Sequence, residues 1–443
     1  MPLHPETWLT VTEAGLFCAP GGFFIDPIRA VDRAVITHAH SDHARPGHRA
    51  VLATRETLAL MTRRLGEGRA GESQQALGYG ETLSVNGVSV TLRPAGHVLG
   101  AAQVVLEWQG ARVVISGDYK TQADPTCAPF EPVPCDVFVT EATFGLPVFR
   151  HPPAEAEIAR LLASLRLFPE RTHVVGAYAL GKTQRLIALL RAAGHDAPIY
   201  VHGALAPMNE VYARFGVALG ELRPATVADR ASLRGAIVLA PPGAIQDRWA
   251  RRLSDPVVCL ASGWMRVRQR AKSRGVELPL VISDHADWDE LNATLDAVAA
   301  PEVWVTHGAE EALIHAAGLR GMRGRALSLI GRGDEDEAVV EAPAGSAAQA
   351  AREADAADPS GSAAQAAREA VVAEPCGSAA QAAREAVVAE PCGSAAQAAR
   401  EAVVAEPCGS AAPAAREADA ADPSGSAAQA AREADASDPP WHI

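Results

Sequence analysis

A dense group of possible metal ligands follows a short apolar strand near the N-terminus. The apolar residues Ala34-Val-Ile36 run directly into Thr37-His-Ala-His-Ser-Asp-His43. Imidazole and carboxylate groups are the usual ligands of zinc sites that keep a coordination position open for water. Because a strand end lies at a sheet edge, the following loop can fold these side chains around a cation. The motif therefore predicts a metal centre whose first ligands are His38, His40, Asp42 and His43.

Three later strands also end in a possible ligand. These are His97 within Pro94-Ala-Gly-His-Val-Leu-Gly, Asp118 after Val113-Val-Ile-Ser-Gly, and His307 after Val303-Trp-Val-Thr. Alone, a His or Asp at a strand end is more often a turn residue than a ligand. Together with the first motif, however, they complete a ligand set. Two metal ions need roughly eight ligand bonds at about four each, and the seven residues supply them if the Asp118 carboxylate bridges.

The remaining pattern predicts an α/β body. Between residues 82 and 117, apolar bursts alternate with the turns Asn86-Gly87 and Gln109-Gly110, which is typical of hairpins, so we expect this half to be largely antiparallel. Further on, helix patterns alternate with strands, which predicts sheets covered by helices. The predicted helices are 154–167, 182–193, 206–215, 287–299 and 309–318. The predicted strands are 172–175, 198–201, 236–240, 257–260, 279–283 and 302–306.

The order and spacing of the ligand motifs resemble a known family. HxHxDH at 38–43, GHxxG at 96–100, SGD at 116–118 and THG at 306–308 are similar to the motifs of the metallo-β-lactamase superfamily. Thr140-Glu-Ala-Thr-Phe-Gly145 and Ile282-Ser-Asp-His-Ala-Asp287 resemble motifs of its β-CASP nucleases, which include RNase J, the cleavage-and-polyadenylation endonuclease and Artemis. Gly15-Leu-Phe-Cys, Tyr178-Ala-Leu-Gly-Lys-Thr-Gln184 and Ala261-Ser-Gly-Trp-Met265 are similar to bacterial ligase-associated DNA exonucleases. The resemblance covers about residues 1–330.

The resemblance implies a fold and a division of labour among the residues. The fold would be a metallo-β-lactamase αββα sandwich made by residues 1–165 and 256–333, with a small β-CASP-like α/β domain inserted at 166–255. Two Zn²⁺ ions, or Mn²⁺ in their place, would be the cofactors. His38, His40 and His97 would hold one ion, and Asp42, His43 and His307 the other, with Asp118 bridging. The catalytic residues would be Asp42, His285 as general acid, and Glu141 as its carboxylate partner.

The function that follows is hydrolysis of phosphodiester bonds in nucleic acid. We expect a DNA exonuclease that acts with an ATP-dependent DNA ligase, and with a helicase, in repair. An RNA-processing exo- or endonuclease stays open, because no motif here distinguishes DNA from RNA. A nonenzymatic scaffold is disfavoured because every ligand position is filled.

No secretory signal or long apolar run is visible, and the body contains no CxxC motif, so we expect a cytoplasmic protein with no membrane partner.

One motif competes with this interpretation. Gly176-Ala-Tyr-Ala-Leu-Gly-Lys-Thr183 matches the phosphate-binding pattern GxxxxGK[ST] between a predicted strand and a predicted helix. The bulky Tyr178 and Leu180 inside the loop argue against wrapping around a nucleotide. We instead expect Lys182 to contact a nucleic-acid phosphate. Further on, a basic run could follow the nucleic-acid backbone and Trp264 could stack on a base, although a solvated helix face and core packing explain them equally well. The basic residues in question are Arg266, Arg268 and Arg270.

The negative charge of the chain lies in its C-terminal part. The whole chain carries −13, which by itself would argue against nucleic acid. Residues 334–443 hold 20 acidic residues and six arginines, a net −14, and include six copies of a 16-residue Ala-rich unit from Gly345 to Pro440. Residues 1–333 are close to neutral, with 34 basic and 33 acidic residues. We expect a disordered acidic tail beside a body that can still carry a basic groove.

Overall fold

Three sheets and seven α-helices make up the described part of the chain. The computed structural model describes residues 3–226, 228, 231–247, 249–253, 255–327, 329 and 441. The first sheet contains β1 Leu9–Thr12, β2 Gly15–Cys18, β3 Phe23–Ile25, β4 Arg33–Val35, β5 Ala50–Ala53 and β6 Ser73–Ala76. The second contains β7 Thr82–Val85, β8 Val88–Pro94, β9 Ala102–Trp108, β10 Ala111–Ile115, β11 Val137–Ala142, β18 Glu302–Gly308 and β19 Arg323–Ala326. The third contains β12 His173–Gly176, β13 Ile199–Val201, β14 Leu222–Pro224, β15 Ile237–Ala240, β16 Val257–Ala261 and β17 Leu278–Leu280.

The helices begin and end close to the predicted positions. They are α1 Arg55–Leu65, α2 Ala154–Leu167, α3 Lys182–Ala192, α4 Ala206–Arg214, α5 Arg268–Ser273, α6 Trp288–Val298 and α7 Glu310–Gly318. Helix α1 was not predicted, although Thr54 marks its start: the Thr54 hydroxyl accepts a hydrogen bond from the Thr57 amide. None of the described helices is long and apolar enough to cross a membrane.

The two N-terminal sheets differ in strand direction. Strands β7 to β10 are consecutive antiparallel neighbours, as the hairpin turns predict, and Asn86 and Gly87 both have the positive φ of a tight hairpin turn. The first sheet is mixed: β1 to β3 are antiparallel neighbours, whereas β3 to β6 pair in parallel. Parallel neighbours need crossover connections. One of these, between β4 and β5, carries the His38–His43 motif.

Sheets one and two pack face to face between helices. Their inner faces share one apolar core, to which β2 to β5 contribute Leu16, Val35 and Leu52 and the facing sheet contributes Val104 and Val113. Helix α1 covers the outer face of the first sheet, and α6 and α7 cover the outer face of the second. This is the predicted αββα sandwich. Trp441 adds to the same core beside Phe23, with the Arg33 guanidinium 6.0 Å from its ring centre.

The third sheet forms the inserted part and is parallel throughout. Its central strand β12 lies between β15 and β16, and α2, α3 and α4 contribute to its core. The predicted boundary at residue 255 precedes β16 and β17, which pair in this sheet through main-chain hydrogen bonds. We therefore propose that the inserted domain runs from about residue 166 to about residue 280. The predicted disorder of the acidic tail concerns residues outside the described ones.

Candidate metal centre

A buried carboxylate fixes the loop that carries the first ligands. Asp26 follows β3, and its carboxylate accepts hydrogen bonds from the Thr37 amide at 2.7 Å, the Thr37 hydroxyl at 2.7 Å and His43 Nδ1 at 2.8 Å. Asp26 is 1% exposed and has a positive φ of 43°. Because it holds both ends of the motif, residues 37–43 cannot move independently of β3.

The first three histidines each have one ring nitrogen occupied by a protein partner. His38 Nδ1 lies 3.1 Å from the Thr37 hydroxyl, His40 Nε2 lies 3.2 Å from the Leu180 carbonyl, and His97 Nδ1 lies 2.8 Å from the Asp284 carbonyl. Since a hydroxyl already donating to Asp26 and two carbonyls can only accept here, each ring donates at that nitrogen. The other nitrogens, His38 Nε2, His40 Nδ1 and His97 Nε2, are left with free lone pairs.

Those lone pairs converge on one carboxylate. His40 Nδ1 and His97 Nε2 are 3.0 Å apart, and Asp118 Oδ2 lies 3.5 Å from His38 Nε2 and 3.9 Å from His97 Nε2. Each of these four residues offers an atom within 4.8 Å of the others. Asp118 reaches them through a tight turn at Gly117, where a Cβ would lie 2.8 Å from the Thr37 side chain. This explains why glycine precedes the aspartate.

A second group shares the same aspartate. His43 Nε2 lies 3.3 Å from Asp42 Oδ2 and 3.4 Å from Asp118 Oδ2, while His307 Nε2 lies 3.6 Å from Asp118 Oδ1. The opposite nitrogen of His307 is 2.8 Å from the Thr306 hydroxyl. Asp118 therefore stands between two groups of candidate ligands.

The arrangement fits a pair of divalent metal ions. Within the described residues, His38 Nε2 and Asp118 Oδ1 are buried without a hydrogen-bond partner, which is costly unless another group satisfies them. Imidazole nitrogens and carboxylate oxygens are the donor set of zinc and manganese sites. The seven predicted ligands are thus all brought together, and they suit a two-metal centre.

The protonation states also suit metal binding. Burial, with smaller contributions from His285 and His40, lowers the pKa of the His97 imidazole to about 3, and burial lowers the pKa of His38 well below its usual value. Both rings are neutral at pH 7 and keep a lone pair. Burial raises the pKa of Asp42 and of Asp118, but His43 outweighs this effect at both carboxyls, so the net shift is downward. Both are therefore anionic ligands.

His285 and Glu141 form a pair beside the first group. His285 Nδ1 lies 3.0 Å from Glu141 Oε2, and the other oxygen of Glu141 accepts from the Tyr119 amide at 2.8 Å. The rings of His285 and His97 have centres 4.7 Å apart. The carboxylate can fix the tautomer of His285. The pair thus has the geometry of an oriented acid next to the metal ligands.

Two predicted nucleic-acid contacts are buried. Lys182 is 1% exposed, and its ammonium lies 3.1 Å from Asp284 Oδ1, itself 3% exposed. Trp264 is 6% exposed and packs against Phe144 and Phe149. Lys182 thus has an internal ion-pair partner, and the Trp264 ring lies in a small apolar core, which is the core-packing alternative that the sequence left open for it.

The arginines of the basic run differ in their exposure and in their contacts. Arg270 stacks on Trp264, with its guanidinium 4.2 Å from the ring centre, whereas Arg266 and Arg268 are exposed. These two face an open pocket of about 540 Å³ whose wall also contains Arg150 and Arg160. Arg150 pairs with Asp289 and Arg160 with Glu157, but within the described residues Arg266 and Arg268 have no ion-pair partner. They are therefore the available cations of the run.

Sequence reasoning missed Asp26 as part of the site. Its position directly after an apolar strand was the only available signal, and it is the same signal that identified Asp118. The role of Asp284 as a carbonyl partner of His97 had no sequence signal, because any residue supplies a carbonyl. Asp287, two residues after His285, caps helix α6 and accepts from the His151 amide.

Comparison with known proteins agrees with this geometry. The family model of the metallo-beta-lactamase superfamily matches residues 14–172, which include His38, His97, Asp118 and Glu141. A probable DNA ligase of Opitutus terrae is 29% identical over 309 residues, covering 68% of this chain but only 29% of that protein. A ribonuclease of Thermus thermophilus is 29% identical over 392 residues, covering 71% of this chain and 89% of that protein.

A shorter match involves a eukaryotic protein. Subunit 3 of the cleavage and polyadenylation specificity factor of Dictyostelium discoideum is 33% identical over 148 residues. The match covers 31% of this chain and 19% of the relative. The chain thus spans under a third of the Opitutus and Dictyostelium proteins, but most of the Thermus ribonuclease.

Proposed function

We propose that this chain, which contains a metallo-beta-lactamase domain at residues 14–172 and is similar to a ribonuclease of Thermus thermophilus, is a two-metal phosphodiesterase of the β-CASP type acting on nucleic acid. The observation that carries this proposal is the convergence of the seven ligands around Asp118 beside the His285–Glu141 pair. The first ion would be held by His38, His40 and His97, and the second by Asp42, His43 and His307. Zinc fits this donor set, and manganese is a substitute of the same charge.

The residues of the chain divide the chemical work. When bound, two divalent ions supply an activated water nucleophile and stabilise the phosphate oxygens of an in-line displacement. The ligand side chains keep the ions in place, with Asp118 between the two groups. His285 donates at Nδ1 to Glu141, so its protonated Nε2 can give a proton to the leaving oxygen of the nucleic acid. Glu141 orients the ring throughout, because the Tyr119 amide fixes the carboxylate itself.

We favour DNA as the substrate and repair as the setting. The support is the Opitutus relative, whose name denotes a DNA ligase and in which the matched segment occupies 29% of the length. A nuclease that removes damaged ends beside a ligase is a coherent pair of activities. The expected helicase partner and the cytoplasmic location stay predictions.

RNA processing is the second candidate. It is favoured by the match to the Thermus ribonuclease, which covers 89% of that protein. Neither the ligand set nor the His285–Glu141 pair selects a sugar, since both act on the phosphodiester that DNA and RNA share.

The test is digestion of end-labelled DNA and RNA of matched sequence, single- and double-stranded, with Zn²⁺ or Mn²⁺. We expect Asp118→Ala and His285→Ala each to lower the rate by at least about 10²-fold, and His315→Ala, a change at an exposed histidine of α7, to leave it unchanged. The product ladder distinguishes exonuclease from endonuclease. Wild-type rates in Asp118→Ala would overturn the metal mechanism.

A further inference from the structure

The loop between β12 and α3 lies against the first metal site. This loop contains the GxxxxGK[ST] match, and its residues belong to the inserted domain. The Leu180 carbonyl accepts from His40 Nε2 at 3.2 Å, which directs His40 Nδ1 towards the other ligands. Gly181 approaches the His97 loop so closely that a Cβ would lie 2.4 Å from the Val98 side chain, and its φ of +87° is itself unfavourable for other residues. The loop is therefore closely fitted to the loops that carry His40 and His97.

The next residue, Lys182, reaches a second ligand through one intermediary. Its ammonium forms an ion pair with Asp284 at 3.1 Å, and both side chains are buried. The Asp284 carbonyl accepts from His97 Nδ1 at 2.8 Å. Lys182 thus holds the residue that orients His97. It does so from the first turn of α3, a helix that packs on the third sheet, whereas His97 follows a strand of the second sheet.

The charges explain why this contact is well defined. A buried carboxylate without a cation is strongly unfavourable, so Asp284 is held where Lys182 can neutralise it. Moving Lys182 would displace the Asp284 backbone and, with it, the acceptor of His97. Partners that orient a metal-binding histidine are worth about 10- to 100-fold in metal affinity.

We propose that Lys182 is a positioning residue of the first metal site and that the loop 178–182 couples the inserted domain to metal binding. Leu180 orients His40 directly, and Lys182 orients His97 through Asp284. The inference rests on the proposed function, because it takes His38, His40 and His97 as the ligands of one ion. It assigns the GxxxxGK[ST] match to support of a metal site instead of nucleotide or nucleic-acid binding.

The test measures metal binding by the full chain. Co²⁺ is titrated into wild type, Lys182→Met, Lys182→Arg and the double variant Lys182→Met/Asp284→Asn, with visible absorption reporting the ligand geometry and circular dichroism the folded state. We expect Lys182→Met to lower the affinity for one of the two Co²⁺ ions by about 10- to 100-fold and to alter the absorption spectrum of that ion. Lys182→Arg keeps the charge and should restore most of the affinity. Lys272→Met, a change at an exposed lysine, is the matched control and should match wild type.

The double variant keeps the inference testable if Lys182→Met fails to fold. It removes both buried charges but leaves the carbonyl of residue 284, so a folded double variant with weakened Co²⁺ binding supports positioning through the ion pair. Wild-type affinity and spectrum in a folded Lys182→Met or double variant would overturn it, as would loss of ATP binding with unchanged Co²⁺ binding. His97→Ala separates failure of the ligand set from failure of the role of Lys182. If the His97→Ala variant binds both Co²⁺ ions as wild type does, the proposed ligand set is wrong. If His97→Ala loses one ion while the Lys182 variants keep both, only the role of Lys182 is wrong.

Discussion

Asp26 has the largest structural role of any single residue outside the ligand set. One carboxylate joins the start of the ligand motif, at Thr37, to its end, at His43. The bond to His43 Nδ1 leaves Nε2 as the ligand atom and increases its basicity. The residue would therefore act on the proposed second ion without touching it.

We expect Asp26→Asn to lower the affinity for the second metal ion by about 10- to 100-fold. The amide can replace one acceptor oxygen, but it removes the negative charge that faces His43. Zn²⁺ competition with a chromophoric chelator measures the change. Asp32→Asn, at a side chain that is 86% exposed, is the control. Equal affinities in the two variants would mean that the three hydrogen bonds of Asp26 serve folding alone.

Among the elements, helix α6 is the one most tied to the site. It begins three residues after His285, and Asp287 caps it by accepting from the Asp289 and Glu290 amides, both at 3.0 Å. The Glu290 side chain returns a bond to the Asp287 amide, which completes a capping box. The same Asp287 carboxylate accepts from the His151 amide at 2.7 Å. The start of α6 is thus fixed to the loop before α2.

Asp287→Ala should lower the free energy of unfolding by about 1–2 kcal/mol, the usual cost of a lost helix cap. Urea denaturation with bound metal measures the effect. Asp289→Ala removes an exposed ion pair in the same turn and should cost less than about 1 kcal/mol. If both variants unfold at the same urea concentration, the cap contributes nothing beyond surface charge.

The short turn Gly263–Arg266 and helix α5 present the two unpaired arginines. If Arg266 and Arg268 each contact one phosphate, replacing both with Ala should weaken DNA binding regardless of sequence. It should also reduce the slope of log K against log salt by roughly 0.7–0.9 per lost contact. Fluorescence anisotropy at several salt concentrations measures both. Arg29→Ala, at an exposed arginine paired with Glu13, is the control. An unchanged slope would exclude these arginines from the interface.

At the scale of the molecule, charge and catalysis are separated along the chain. The body of residues 1–333 is near neutral, and residues 334–443 carry −14. Coulombic repulsion between such a segment and DNA acts over about 10 Å at 0.1 M salt and over about 30 Å at 0.01 M. We therefore interpret the acidic repeats as an electrostatic regulator of DNA binding.

Truncation after residue 340 should tighten DNA binding at 0.01 M salt, and the difference from wild type should disappear at high salt. A full-length variant in which the acidic residues after 340 become amides separates charge from length, and we expect it to behave like the truncation. Binding isotherms at low and high salt provide the measurement. Identical affinities of all three proteins at low salt would identify the tail as a spacer.

The local patterns of the sequence were enough to predict the elements and the ligands. Apolar residues at helical spacing predicted the ends of α2, α3, α4, α6 and α7 to within about two residues of the ends in the structure, because each helix packs an apolar surface against a sheet. The seven proposed ligands share one signal, because each lies at or just beyond the end of a strand and belongs to a residue type that binds metal. The resemblance of the motifs then indicated the family and the αββα sandwich.

Contacts between distant segments could be decided only by the tertiary structure. Whether β16 joins the inserted sheet depends on its main-chain pairing with β12, and main-chain groups are the same in every strand. Whether Lys182 faces a phosphate or Asp284 depends on how α3 is set against a loop about 100 residues away. The sequence by itself determined which atoms can bind metal. Only the fold decided which carboxylates and carbonyls orient them, because hydrogen-bond partners are selected by proximity in space.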